Sequence, residues 1–133
     1  MSYLISTKGR YALRIMIDLA EQGEGEAVPL KDITKRQDLS LKYAEAIMPK
    51  LKESNLVTGS AGKGGGYKLA RPIDDYTVGE ILRVSEDQLA PVACLSEGFV
   101  CSRAESCKTL PIWKELDARI SEYLNTVKLK DLI

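Results

Sequence analysis

Residues 30–71 decide the fold of this chain, and they read LKDITKRQDLSLKYAEAIMPKLKESNLVTGSAGKGGGYKLAR. Pro29 predicts a helix start, because its missing N–H would be unpaired in a first helical turn anyway. After a short turn, Ser40 is a good N-cap for a second helix, since its hydroxyl oxygen can accept a hydrogen bond from a free backbone N–H. Two strand-like runs, residues 56–58 and 67–69, then flank a glycine-rich loop. Helix, turn, helix and hairpin in this order predict a winged helix-turn-helix.

The second helix of this motif has an apolar face and an outer face. The positions that recur at helical spacing, and that we expect to face inward, are Ala44, Ile47, Met48 and Leu51. The outward positions are Leu41, Lys42, Glu45, Ala46 and Lys52, with Tyr43 near the edge. A helix fits the major groove of DNA, so the outer face predicts a DNA-reading surface. Pro49 removes a backbone bond to the carbonyl of Glu45 and predicts a kink or an early end of the helix.

The glycines of the hairpin loop do not match a nucleotide-binding motif. Gly64 stands where a phosphate loop has Ser or Thr after its lysine, and Tyr67 stands where a dinucleotide fingerprint has its third glycine. Gly62 and Gly64 instead allow the tight turn of a hairpin tip that lies against a DNA backbone. Lys63, between them, favours phosphate contact over a merely flexible hairpin.

The 133 residues carry no net formal charge, but the charge is divided unevenly along the chain. Residues 1–71 contain 12 Lys or Arg against 8 Asp or Glu, whereas residues 72–133 contain 7 against 11. A basic N-terminal half is what a DNA-binding domain needs. The chain has no histidine and no nucleotide loop, which argues against an enzyme. The apolar stretch at residues 11–20 is broken by Arg14 and Asp18, so we expect a cytoplasmic protein without a membrane partner.

Three cysteines, Cys94, Cys101 and Cys107, lie in a segment without helical or strand periodicity, residues 85–109. Structural disulfides are not expected in a cytoplasmic chain. Zinc would prefer four Cys or His ligands with CxxC-like pairs, which this chain lacks. Thiolates around a loop suit an iron–sulfur cluster, which takes cysteine ligands and one substitute. A thiol redox switch and inert thiols are the other interpretations.

The last predicted helix carries apolar residues at alternating spacings of three and four: Trp113, Leu116, Ile120, Tyr123 and Val127. This pattern is typical of a helix that pairs with a second copy, although it also fits packing on its own domain. We therefore predict a mainly α fold with a small β-hairpin, divided into three parts. They are a winged helix-turn-helix DNA-binding domain at residues 1–84, a cysteine-containing sensor loop at residues 85–109, and a dimerisation helix with a C-terminal tail at residues 110–133.

Four stretches resemble the Rrf2 family of bacterial winged-helix regulators, the IscR, NsrR and CymR type. They are ISTKGRYALR at residues 5–14, LSLKYAE at 39–45, GGGYKLAR at 64–71 and YTVGEI at 76–81. The three-cysteine loop, Trp113 and the C-terminal Leu129 and Leu132 extend the likeness over essentially the whole chain.

The resemblance implies a homodimeric transcription factor that reads a palindromic duplex. The residues that would face DNA are Ser40, Lys42, Tyr43, Glu45 and Ala46, with Thr7, Lys8 and Tyr11 near phosphates. The cluster ligands would be Cys94, Cys101 and Cys107, and we expect a 2Fe–2S rather than a 4Fe–4S cluster, largely lost from protein isolated in air. The alternatives are a regulator with a thiol switch or another effector and no cluster, and an iron–sulfur carrier, which would not need the helix-turn-helix.

Three positions depart from the family pattern. Ala61 stands where many IscR-like members have a wing arginine, and Leu110 stands where they supply a histidine ligand. Arg10 stands where NsrR-like members supply an aspartate ligand. The fourth cluster ligand is therefore open between water, a small thiol, a carboxylate such as Glu97 or Glu105, and a side chain of a partner subunit.

Overall fold

A computed structural model of the chain describes residues 5–23, 25–87, 89–96, 98 and 101–133. The elements of this part are helices α1 (Thr7–Gln22), α2 (Leu30–Gln37) and α3 (Leu41–Glu53), strands β1 (Val57–Ser60) and β2 (Gly66–Leu69), and helices α4 (Val78–Ser85) and α5 (Leu110–Thr126). Short 3-10 helices cover Ile73–Asp75, Ala93–Leu95 and Leu129–Leu132. The prediction of a mainly α fold with a small hairpin is confirmed.

The turn between α2 and α3 has the geometry of a helix-turn-helix. Asp38 adopts a left-handed φ of 54°, and the N–H of Leu39 donates to the carbonyl of Thr34 at 2.8 Å. The Leu39 side chain is buried in the core. The Ser40 hydroxyl accepts a hydrogen bond from the N–H of Tyr43 at 3.3 Å, so the predicted cap of α3 is confirmed.

The apolar faces of α1 and α3 meet in one core. The four inward positions predicted for α3 are all at most 3% exposed. Helix α1 contributes Ala12, Ile15, Met16, Leu19 and Ala20, and the rest of the chain adds Ile33, Leu56, Val57, Tyr76, Ile81 and Leu129. Burial of each large aliphatic side chain stabilises the fold by about 1.5–3 kcal/mol, so this core fixes α3 with its other face outward.

Of the two outcomes expected at Pro49, the early end of α3 is wrong, since the helix continues to Glu53, and the kink stays a prediction. Pro49 and Glu45 are both exposed, so water can reach the Glu45 carbonyl that lacks its helical partner. Met48 and Leu51 on either side of the proline are buried. Their packing offsets the roughly 3 kcal/mol that a proline costs inside a helix.

The hairpin is attached to the segment that enters α2. Strands β1 and β2 pair antiparallel, with Val57 opposite Leu69. Val28 forms a single bridge with Tyr67, in which each backbone N–H donates to the other residue's carbonyl at 2.8 Å. Gly66 permits this approach, because its φ is 147° and a Cβ there would collide with the backbone of Val28.

The chain after α5 returns to the core of the winged domain. The carbonyl of Val127 accepts from the N–H of Val78 at 2.8 Å, and the N–H of Leu129 donates to the carbonyl of Tyr76 at 3.1 Å. The side chain of Leu129 is fully buried. The C-terminal turn therefore contributes to the same core as the helix-turn-helix, and the division at residues 84 and 109 stays a prediction.

Candidate nucleic-acid interface and cysteine cavity

The outer face of α3 presents the side chains that the sequence predicts. Those that are exposed are Ser40, Lys42, Glu45 and Ala46, while Tyr43 is half-buried. The predicted phosphate-contacting residues of α1, which are Thr7, Lys8 and Tyr11, are also half-buried. Because the opposite face of α3 is buried in the core, these side chains have a fixed backbone beneath them.

An aromatic contact joins the two helices of the predicted interface. The rings of Tyr11 and Tyr43 lie edge to face, with centroids 5.2 Å apart and an interplanar angle of 73°. The guanidinium carbon of Arg14 lies 5.8 Å from the centre of the Tyr11 ring, and the same group donates to the carbonyl of Gln37 at the end of α2. The structure thus brings together two residues of the predicted interface that are 32 positions apart in the sequence.

An ion pair between the buried Asp18 and the partly exposed Arg36 joins α1 to α2. Asp18 is 2% exposed and accepts hydrogen bonds from the Arg36 guanidinium at 2.7 and 3.0 Å and from the Gln37 amide at 3.1 Å. The hydrogen bonds that Arg36 donates to Asp18 raise the pKa of Arg36 above its ordinary value. Sequence reasoning used Asp18 only as a break in an apolar stretch. An acidic residue within the buried stripe of a helix is the signal that could have revealed a paired charge.

The tip of the hairpin has the backbone that its glycines predict. Gly62 and Gly64 have φ values of 84° and 79°, and the N–H of Gly65 donates to the carbonyl of Gly62 at 2.9 Å. Lys63 is exposed between them. The positive φ values need glycine, and they leave the Lys63 side chain at the end of the hairpin.

The three cysteines line one cavity. Cys94, Cys101 and Cys107 are half-buried, and with Ala104 and Leu110 they surround a volume of about 100 Å³. Leu110 contributes an apolar part of the cavity wall. The sequence predicted the three thiols as a group, and the structure brings them together.

Cys107 lies beside the first turn of α5. Its sulfur is 3.3 Å from the hydroxyl oxygen of Thr109. This side-chain hydrogen bond, followed by backbone N–H groups of Thr109 and Leu110, lowers the pKa of the Cys107 thiol below its ordinary value. A lowered pKa increases the thiolate fraction, which is the form that attacks oxidants and binds metals.

The thiols do not form a finished metal centre in the described part of the chain. Within these residues no three His, Cys, Asp or Glu side chains are grouped closely enough to hold a metal ion. Of the two carboxylates considered as a fourth ligand, Glu105 is exposed and Glu97 lies outside the described residues. A cluster at this cavity would need the segment to close around it and a ligand in addition to the three thiols.

The residues of the predicted α5 seam differ in how far they are exposed. Trp113 and Ile120 are half-buried, and Val127 lies just beyond the helix end. Leu116 and Tyr123 are 41% and 67% exposed, and Ile112 is 58% exposed one helical turn before Leu116. The second set forms an open apolar row, which we call the α5 row (Ile112, Leu116 and Tyr123).

A capped recognition helix, an aromatic contact that joins it to α1, and a lysine-tipped hairpin define a winged helix-turn-helix transcription regulator. No helix in the described ranges has the length and apolar character to cross a membrane. The Rrf2 family, described as an iron-dependent transcriptional regulator, matches residues 5–133. The chain therefore belongs to the Rrf2 family.

Individual relatives agree with this assignment. The chain is 36% identical over 129 residues to protein rrf2 of Nitratidesulfovibrio vulgaris, covering 97% of this chain and 86% of that protein. It is 34% identical to the HTH-type transcriptional regulator IscR of Escherichia coli, covering 97% and 79%. The solved structure of CymR, the global cysteine regulator of B. subtilis, superposes with a TM-score of 0.78 at 36% identity, covering 99% of this chain and 96% of that one. IscR and CymR are regulators, and the family is one of transcriptional regulators, so the prediction that the chain is not an enzyme is confirmed.

Proposed function

We propose that this cytoplasmic regulator binds palindromic double-stranded DNA as a homodimer, with one α3 helix in the major groove of each half-site. The observation that carries the proposal is the exposed polar face of α3 beside the α1 residues Lys8 and Tyr11. Glu45 would accept a hydrogen bond from a cytosine amino group, while Lys42, Lys63 and Lys8 would contact phosphates. The wing of each subunit would lie on the adjacent backbone.

The second copy would cover the α5 row. Three large apolar side chains at helical spacing on one open face are what a helix-pairing interface needs. Pairing through α5 would place two winged domains in one particle, and two-fold symmetry would match the symmetry of the palindrome.

The cysteine cavity would hold an iron–sulfur cluster of the 2Fe–2S kind. The residues of the cavity support such a cluster in part, because three cysteines, whose thiols are soft ligands, line one small cavity. Cys94, Cys101 and Cys107 would be the ligands, and the cluster would supply sensitivity to oxygen and to iron supply. The fourth ligand would come from solvent, a small thiol, a carboxylate or the partner subunit, since Leu110 cannot ligate iron. A site with an exchangeable fourth ligand is open to oxygen, so we expect protein isolated in air to be largely without cluster.

This function is tested by measuring how the protein binds an operator duplex that is selected from a randomised pool. We expect a dimer by sedimentation, half-sites about one helical turn apart, and a log affinity that falls with log salt by about 0.9 for each phosphate neutralised. A monomer, or binding that ignores salt, would count against the proposal.

The cluster is tested separately, by anaerobic reconstitution with iron and sulfide analysis and a visible spectrum. Reconstituted protein, protein without cluster and Cys101→Ala should then be titrated with the same operator at one salt concentration. We expect the reconstituted protein to differ in DNA affinity from the cluster-free protein and from Cys101→Ala. Binding of the cluster and binding of DNA are linked, so each must change the affinity for the other by the same factor. Equal DNA affinities of the three proteins would be consistent with DNA binding but would contradict a sensor role of the cluster at that operator.

A thiol switch without a cluster is the second candidate, and the lowered pKa of Cys107 favours it. A lowered pKa keeps the thiolate present at pH values where an ordinary thiol is protonated. Alkylation near neutral pH should therefore label Cys107 before Cys94 and Cys101. Thr109→Val, which removes the hydroxyl beside the sulfur, should slow labelling of Cys107 alone. Uniform labelling of the three cysteines would argue against this candidate.

A further inference from the structure

The residues that follow α4 reach the start of α1. The Glu86 carboxylate accepts hydrogen bonds from the Ser6 N–H at 2.7 Å and from the Ser6 hydroxyl at 3.0 Å. Glu86 is only 9% exposed, and it lies at the positive end of α1, where backbone N–H groups have no helical partners. The beginning of the cysteine-containing segment is therefore attached to a helix of the DNA-binding domain.

Gly9 makes room for this carboxylate. A Cβ at position 9 would overlap Glu86 and would lie 3.1 Å from a methyl carbon of Leu82. Gly9 is buried although it lies in the first turns of α1. The contact between the two segments thus has a shape that only glycine at this position allows.

Asp87, the next residue, is paired with two lysines of the winged domain. Its carboxylate oxygens lie 2.8 Å from the ammonium of Lys50 and 3.7 Å from that of Lys8. Lys50 lowers the pKa of Asp87 by its hydrogen bond and charge, and Lys8 adds to this effect. One carboxylate therefore neutralises part of the positive charge at the start of α1 and the end of α3.

The same two residues line a cavity with the cysteine-containing segment. Glu86 and Asp87 share a space of about 350 Å³ with Leu89, Leu95 and Ser96, and Leu95 directly follows Cys94. A rearrangement of the segment around Cys94 would therefore act on residues that adjoin Asp87.

We infer that Asp87 is an internal competitor for DNA phosphate, which occupies Lys8 and Lys50 while Glu86 holds it in place. The inference rests on the proposed DNA binding and names a regulation of that interface. A phosphate that approached Lys8 and Lys50 would compete with the Asp87 carboxylate for the same two ammonium groups, so DNA would have to displace Asp87 before both lysines contribute. A change in the cysteine segment that withdraws Asp87 frees the lysines and strengthens binding to any DNA sequence.

The test compares Asp87→Asn with Asp74→Asn. Asp74 is a matched control, because it is similarly exposed and its carboxylate lies 3.5 Å from a single lysine, Lys130, in the C-terminal turn. The probe is a mixed-sequence duplex of about 30 base pairs, three helical turns, since phosphate contacts do not depend on sequence. We expect Asp87→Asn to tighten binding up to about fivefold, the range of an exposed ion pair, and to steepen the salt slope by as much as about 0.9 for each lysine freed. Asp74→Asn should change neither.

Lys8→Gln in the Asp87→Asn background should remove most of the gain, because the freed lysine is then absent. Unchanged affinity and salt slope in Asp87→Asn would overturn the inference, as would an equal gain in Asp74→Asn, which would indicate a general charge effect. The same titration includes the wild-type chain, so that a failure of this inference can be distinguished from a failure of the proposed DNA binding. If the wild type and every variant fail to bind, the proposed function falls together with this inference.

Discussion

Helices α3 and α5 both carry apolar residues at helical spacing, yet they bury them to very different extents. The four inward positions of α3 are at most 3% exposed, whereas no residue of α5 is buried and Tyr123 is 67% exposed. The pattern of α3 is completed inside the chain by α1 and by the C-terminal Leu129. In α5 the chain itself covers the apolar residues only in part, at Trp113 and Ile120, which are half-buried. Periodicity therefore predicts that a face is covered, but not whether the same chain covers it.

The largest expected effect belongs to the buried side of this comparison. Leu51→Ala should destabilise the fold by about 2–5 kcal/mol, because it leaves a cavity at a fully buried position of α3. Leu41→Ala is the control on the same helix, since Leu41 is 42% exposed and its loss should change the free energy of unfolding by less than about 0.5 kcal/mol. Urea denaturation measures both. Similar losses in the two variants would contradict the orientation of α3.

The next largest effect is expected at the exposed α5 row. Leu116→Asp places a charge in the α5 row and should weaken self-association by about 2 kcal/mol, roughly thirtyfold, if a second copy covers that row. Lys114→Asp is the control, since by helical geometry position 114 points away from the row. Sedimentation at several concentrations reads the dissociation constant. Equal weakening by both variants would indicate a general charge effect, and no weakening would move the dimer interface elsewhere.

A smaller effect tests the contact that joins the two regions. Gly9→Ala should destabilise the fold by about 1 kcal/mol or more, because the new Cβ overlaps the Glu86 carboxylate. Alanine inside a helix ordinarily stabilises it relative to glycine, so the sign itself is informative. In a Glu86→Ala background the same substitution should become neutral or stabilising. Thermal unfolding of the wild type, the two single variants and the double variant completes this double-mutant cycle. An identical effect of Gly9→Ala in both backgrounds would show that the contact between Gly9 and Glu86 does not contribute to stability.

The elements of the winged domain could be predicted because their signals are local. Ser40 caps α3, Gly62 and Gly64 turn the hairpin, and the inward face of α3 follows from spacing alone. Pro49 misled the prediction of the helix end, because tertiary packing of Met48 and Leu51 outweighs the local preference.

The connections between elements could not be predicted in the same way. Asp18 meets Arg36, and Glu86 meets Ser6, across separations along the chain for which no local pattern exists. Burial of Leu129 in the core likewise depends on the path of the chain after α5. Such pairs depend on packing, and their sequence signal is only a charged or small residue at an unexpected position.

In the proposed complex, α3 reads base pairs while the wing and the start of α1 contact phosphates. Measuring the base preferences of Glu45→Ala and Lys63→Ala on a library of single-base operator variants tests it most directly. We expect Glu45→Ala to alter the preference at one or two base pairs by about 1–3 kcal/mol, while Lys63→Ala weakens binding to all operator variants about equally and makes the salt slope shallower. Unchanged base preferences in Glu45→Ala would contradict the placement of α3 in the major groove.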